Sequence, residues 1–121
     1  DALVAQQVDA ILVSANDPDA LVPVLRRAID RGITVVAFDS GVAPAGRNLF
    51  LNQADMELIG RIQVQMIADM IGHEGEIAIL SATSTMANQN AWISWMQEEL
   101  KLPEYAQMSL VAIVYGTVAW K

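Results

Sequence analysis

The chain has 121 residues, 54% of them hydrophobic and 17% charged, with a formal net charge of -7. That apolar fraction excludes a disordered chain, and that length holds one ordinary core more comfortably than two. Seven Lys and Arg against 14 Asp and Glu form no basic stripe, which excludes a nucleic-acid backbone as partner, and the lack of cysteine excludes disulfides and thiolate chemistry.

Asp1 to Gln7 reads as the end of a helix, as though the chain were cut out of something longer. Val8 to Ala15 is a first predicted strand, apolar through Ile11, Leu12 and Val13. Asn16-Asp17-Pro18-Asp19 announces a helix, with Asp17 able to cap free N–H groups and Pro18 suited to the first helical position. Leu21, Val22, Leu25, Ala28 and Ile29 recur at helical spacing, and Gly32 is a natural stop. Ile33 to Phe38 is then an uninterrupted apolar run, which predicts a parallel strand covered on both faces. The two strands and their helix make a β-α-β unit.

After Asp39-Ser40-Gly41 the glycines and proline of residues 41–47 predict a linker, followed by a short extended segment over Asn48 to Asn52. A helix is predicted from Asp55 to about Ile71, with Ile59, Ile62, Met66, Ile67 and Met70 on its inner side. Gly60 within it costs about 1 kcal/mol against alanine, which predicts close packing on a neighbour. Glu76 to Ala82, a helix from near Asn88 to Lys101, and Leu110 to Tyr115 form a second β-α-β unit. No apolar run approaches the roughly 18 residues of a membrane span.

The chemistry lies mainly in what ends the strands. No G-x-G-x-x-G and no G-K-[ST] loop is present, so dinucleotide and P-loop readings lack a phosphate cradle. His73 is the only histidine and sits in a glycine turn, which predicts a surface residue rather than a catalytic base. Asp17 and Asp19 do not supply a converging metal-ligand set, and no second acid stands beside Asp39 to hold magnesium. No catalytic residue, cofactor or metal is predicted. What remains is Ser14, Asn16, Asp39, Ser40, Asn52, Gln53, Asn88, Gln89 and Asn90, hydrogen-bonding groups concentrated where strands run out. In open α/β sheets ligands bind at the carboxyl ends of the strands. A carboxylate and amides there match the mixed donors and acceptors of sugar hydroxyls. Caps and turns account for about half of such residues in general. Trp92 and Trp95 could stack on a sugar ring, although their helical spacing favours core packing.

Residues 13–21, Val-Ser-Ala-Asn-Asp-Pro-Asp-Ala-Leu, followed by Val36-Ala37-Phe38-Asp39-Ser40, resemble the type I periplasmic sugar-binding proteins of ABC importers. The likeness runs through Leu51-Asn52-Gln53 and Asn88-Gln89-Asn90-Ala91-Trp92 and covers nearly all the chain up to Gly116, closest to rhamnose-binding and autoinducer-2-binding receptors. The resemblance implies an α/β fold of parallel-sheet β-α-β units, parts of two lobes joined by a hinge. Residues 1–41 would end the first lobe, 42–53 form the hinge and crossing segment, 54–116 begin the second lobe, and 117–121 form an atypical tail. Full receptors have roughly 300 residues, so the chain matches an internal fragment.

The resemblance also implies that Asp39 binds ligand hydroxyls from the first lobe, that Asn52 and Gln53 lie beside the hinge crossing, and that Asn88 and Gln89 contribute from the second lobe; Ser14 and Asn52 are further candidate ligand residues. Asn88 stands where autoinducer-2 receptors carry an aspartate, which tilts the ligand toward rhamnose or a related sugar. A non-enzymatic, periplasmic binding module follows, with a sugar ligand and ABC permease membrane subunits as partners and no membrane insertion. Missing walls imply weak or no sugar affinity for the fragment, and unpaired strand edges imply self-association. The effector-binding core of a sugar-responsive transcription repressor is the alternative within the same fold, and a flavodoxin-like domain is a third.

Overall fold

A computed structural model describes residues 1–116, so the expected tail at 117–121 lies outside the described residues. Two compact units emerge. One holds Asp1–Ala54 with Thr85–Ala87; the other holds Asp55–Ser84 and the residues from Asn88 onward.

The first unit is a three-stranded parallel sheet built from β1 (Ala10–Val13), β2 (Thr34–Phe38) and β3 (Leu49–Leu51), in that order. A short helix α1 (Ala2–Ala5) precedes it, and α2 (Val22–Asp30) makes the crossover from β1 to β2. Strand register sorts the side chains. Ile11 pairs with Val35, and Val13 with Ala37 and then Phe50, placing these residues on one face. That face packs with Leu25, Ala28 and Val42 into the core. The alternate row, Leu12, Val36 and Leu49 with Phe38 and Leu51, lies on the other face. There Leu12 is 72% exposed and Leu49 59%. The expectation that β2 is covered on both faces is therefore corrected: among the described residues α2 covers one face only.

The helix start also differs. Asp17 Oδ1 accepts from the N–H groups of Asp19 (2.8 Å) and Ala20 (3.0 Å), but these belong to a turn, and α2 begins only at Val22 with Pro23 in its first turn. Asp17 prefers its local turn, and a proline in the first helical turn is available five residues later. Gly32, with φ +85°, ends the crossover. The segment 42–53 contributes a 3₁₀ turn, Pro44–Gly46, and β3 to this unit. Asn48 anchors it, its Oδ1 accepting from Val35 N–H at 2.7 Å while its own N–H donates to the Val35 carbonyl at 2.8 Å.

The second unit pairs β4 (Glu74–Ser81) with β5 (Gln107–Tyr115) in parallel, the latter starting earlier than its apolar run suggests. Helix α3 (Met56–Ile71) leads into β4, and α4 (Ala87–Glu99) connects β4 to β5. Asp55 caps α3 by accepting from Leu58 N–H at 2.9 Å, and Gly72 closes it in the left-handed conformation. The inner face of α3 is Gly60, Val64 and Ala68, with Ile67 and Ile71 partly buried. Met66 and Met70, expected inside, are 60% and 79% exposed, and Ile62 is exposed as well. At Gly60 the face must be small because α4 comes so close: a Cβ there would lie 2.6 Å from both the Trp92 carbonyl oxygen and Trp95 Cβ, whereas Val64 and Ala68 pack with Tyr105 and Met108.

At the end of α4, Glu99 is buried and accepts hydrogen bonds from three side chains. Arg61 Nη1 donates to it at 2.8 Å, Gln65 Nε2 at 3.0 Å and Tyr105 Oη at 3.2 Å. The Gln65 hydrogen bond, supported by those from Arg61 and Tyr105, holds the Glu99 carboxyl below the usual carboxylate range against the opposing effect of burial. Burial pushes the Tyr105 phenol well up, and Glu104 and Glu99 add to the rise.

Candidate functional site

In the first unit, polar groups gather where β1 and β2 end. Asp39 follows the last residue of β2 and has φ +57°, the left-handed region, which costs an L residue about 1–2 kcal/mol and which aspartate tolerates better than most. Gln53, just beyond β3, meets it twice: Asp39 N–H donates to Gln53 Oε1 at 3.1 Å, and Gln53 Nε2 donates to Asp39 Oδ1 at 3.2 Å. Ser14, just beyond β1, donates from Oγ to Asp39 Oδ2 at 3.3 Å and accepts from Ser40 N–H at 3.4 Å. The sheet order β1-β2-β3 explains the convergence, since residues following neighbouring parallel strands emerge at one edge.

Of the residues singled out from sequence, Ser14 and Asp39 come together here. Asn52 is exposed, and the hydrogen bonds to Asp39 run through the adjacent Gln53. Ser40 is 1% exposed with its Oγ lacking a hydrogen-bond partner, so its hydroxyl is sealed inside the unit. A hollow of about 310 Å³ borders Ser14, Ala15, Asn16 and Asp17 at the same strand ends. A larger one, about 450 Å³, lies at the opposite ends of the strands, lined by Val8, Asp9, Gly32 and Ile33 among others. The former borders Ser14, which hydrogen-bonds to Asp39, and is the candidate site, because size alone carries no chemistry.

In the second unit, Asn88 and Gln89 occupy the first turn of α4. Gln89 Oε1 accepts from Ser81 Oγ at 2.7 Å and from Ala82 N–H at 2.9 Å, tying the helix start to the end of β4. Asn88 Oδ1 accepts from Gln89 N–H at 2.7 Å. Asn90 Nδ2 donates to the Ser84 carbonyl at 2.8 Å, a structural use of that amide. Trp92 donates from Nε1 to Met56 Sδ, and Arg61 lies 5.0 Å from the Trp95 ring centroid, so both indoles serve helix packing. His73 stacks on Tyr105 with centroids 5.7 Å apart and lies 3.3 Å from Asp69, away from the strand-end polar groups. No group of three or more metal-ligating side chains is found among the described residues. No helix among them is long and apolar enough to cross a membrane.

A family model described as the periplasmic binding protein domain matches residues 1–121. The chain belongs to that family. A similar solved structure is an ABC transporter solute-binding protein from Clostridium phytofermentas with bound L-rhamnose, 39% identical with a TM-score of 0.91. The match covers 95% of this chain and 36% of that one. A sugar ABC transporter protein from Actinomyces odontolyticus is 41% identical, TM-score 0.62, over 95% of this chain and 37% of its own. A solute-binding protein from Burkholderia graminis in complex with D-arabinose is 25% identical, TM-score 0.84, over 94% and 38%. The chain thus spans little more than a third of these relatives. It is a type I periplasmic sugar-binding fragment in fold, α/β with two small parallel sheets, and its family serves ABC importers outside the cytoplasm.

Proposed function

We propose that the chain is part of the substrate-binding component of an ABC sugar importer, with L-rhamnose or a closely related sugar as ligand. The observation that carries this reading is Asp39, a carboxylate at the carboxyl end of β2 braced by Ser14 and Gln53. Ionised, it accepts hydrogen bonds from vicinal hydroxyls, and charge-assisted bonds of that kind are about twice as strong as neutral ones. Asn88 and Gln89 supply amides at the start of α4, the second set of groups that the family resemblance assigns to the ligand. Support for rhamnose comes from the L-rhamnose complex at 39% identity. Binding is non-catalytic in this reading: groups that match hydroxyls are present, and no residue is assigned to bond making or breaking. Residues 42–53 would act as the hinge, and delivery would be to the membrane permease outside the cytoplasm.

The chain corresponds to little more than a third of its relatives, so it supplies only part of the ligand walls and binds weakly. Isothermal titration with L-rhamnose and D-arabinose tests this. The expected result is a weak response, dissociation constant about 1 mM or above, equivalent to no more than about 4 kcal/mol, with L-rhamnose preferred. Submicromolar affinity would overturn the incomplete-site reading, and a preference for D-arabinose would overturn the ligand assignment.

A further inference from the structure

We propose that Gln53 is a positioning residue for sugar recognition: its carboxamide fixes the backbone and the carboxylate of Asp39 together and couples that carboxylate to the segment following β3. The inference rests on the receptor reading above and adds a residue outside the Ser14, Asp39, Asn52, Asn88 and Gln89 set. Its basis is geometric. Asp39 stands immediately after β2 in a left-handed conformation, where the strand ladder no longer restrains it. Gln53 supplies both restraints a side chain can offer there, an acceptor for Asp39 N–H at 3.1 Å and a donor to Oδ1 at 3.2 Å. The first fixes where the backbone turns, and the second fixes the plane of the carboxylate.

Only an amide of this length does both. A carboxylate lacks the donor and an aliphatic side chain lacks both groups, whereas asparagine is one methylene shorter. Ser14 braces the other oxygen, so the carboxylate is held from two neighbouring strand ends. Preorganisation of this kind increases affinity by removing the cost of ordering the binding group when ligand arrives. The two residues are 14 positions apart in sequence and meet only because β3 lies beside β2. A shift of the 42–53 segment would therefore move the sugar-binding carboxylate with it.

The test compares wild type with Gln53→Met, which preserves length and packing, and Gln53→Glu, which keeps the acceptor and loses the donor. Amide hydrogen exchange of Asp39 and NMR titration with L-rhamnose are read on each. For Gln53→Met, Asp39 N–H is expected to exchange about tenfold faster and L-rhamnose to bind about tenfold more weakly, with the thermal midpoint nearly unchanged. Gln53→Glu is expected to retain slow Asp39 exchange yet lose affinity, separating the two hydrogen bonds. Wild-type affinity in both variants would overturn the positioning role while leaving the receptor reading intact. Failure of wild type itself to respond to L-rhamnose would overturn both.

Discussion

Gly60→Ala gives a test in which two physical effects predict opposite signs. On helix propensity alone, alanine in the middle of α3 should stabilise the chain by about 1 kcal/mol. The packing opposes it. The added Cβ would lie 2.6 Å from the Trp92 carbonyl oxygen and from Trp95 Cβ, and 3.2 Å from Met96 N. Ordinary contact begins at 3.4 Å, so α3 and α4 must separate by about 0.8 Å. Two of these opposing atoms are backbone and the third is a Cβ, so no rotamer change relieves the clash. Overpacking of this kind costs about 1–3 kcal/mol, and here the upper half of that range applies. The net expectation is a loss of about 1–2 kcal/mol, a thermal midpoint lower by about 4–16 °C for a unit of this size. Thermal unfolding followed by circular dichroism reads it, with Ala68→Gly as a second probe of the same helix face. A Gly60→Ala chain more stable than wild type would refute the close α3–α4 contact.

Glu99 predicts an acid effect. Its carboxyl is held low in the folded state, so the unfolded chain takes up the proton first as pH falls. The stabilisation is fully present above about pH 5 and is lost as pH drops through the lowered folded value. The urea midpoint of wild type should fall more steeply below pH 5 than that of Glu99→Gln; parallel curves would contradict the assignment. Asp39→Asn should weaken the response to L-rhamnose at least tenfold with little change in thermal midpoint, because a charge-assisted acceptor is lost at an exposed strand end. The exposed row of Leu12, Leu49 and Leu51 should drive self-association. Light scattering should give a mass rising with concentration, reduced by Leu12→Lys, whereas a clean monomer at every concentration would count against it.

Much of the fold was legible because it depends on periodicity and punctuation. The β-α-β units follow from apolar runs separated by helical spacing, and a glycine at position 60 within a helix signals the close contact found there. The misreadings have local causes. Asp17-Pro18 carries helix-start chemistry, but Asp17 closes its own turn and Pro23 serves the helix instead. Met66 and Met70 have the right spacing for a buried stripe, yet the buried stripe is Gly60, against α4, with Val64 and Ala68 against Tyr105 and Met108. Hydrophobicity alone does not tell which of two apolar stripes meets a partner. At the site, Asp39 and Ser14 were readable as strand-end polar groups. The weight given to Asn52 over Gln53 reflects the limit of sequence reasoning, since which of two adjacent amides turns toward Asp39 depends on the exit geometry of β3. Gln53 carried a signal only as one more amide beyond a strand.

The proposal that Asp39 in the first unit takes part in sugar binding, as do Asn88 and Gln89 by the family resemblance, is tested most directly by residue-resolved NMR titration of the chain with L-rhamnose. Saturable shifts at Ser14, Asp39, Asn88 and Gln89, with a dissociation constant of about 1 mM or weaker, are predicted. Shifts confined to other surfaces, or none at sugar concentrations near 1 M, would contradict it.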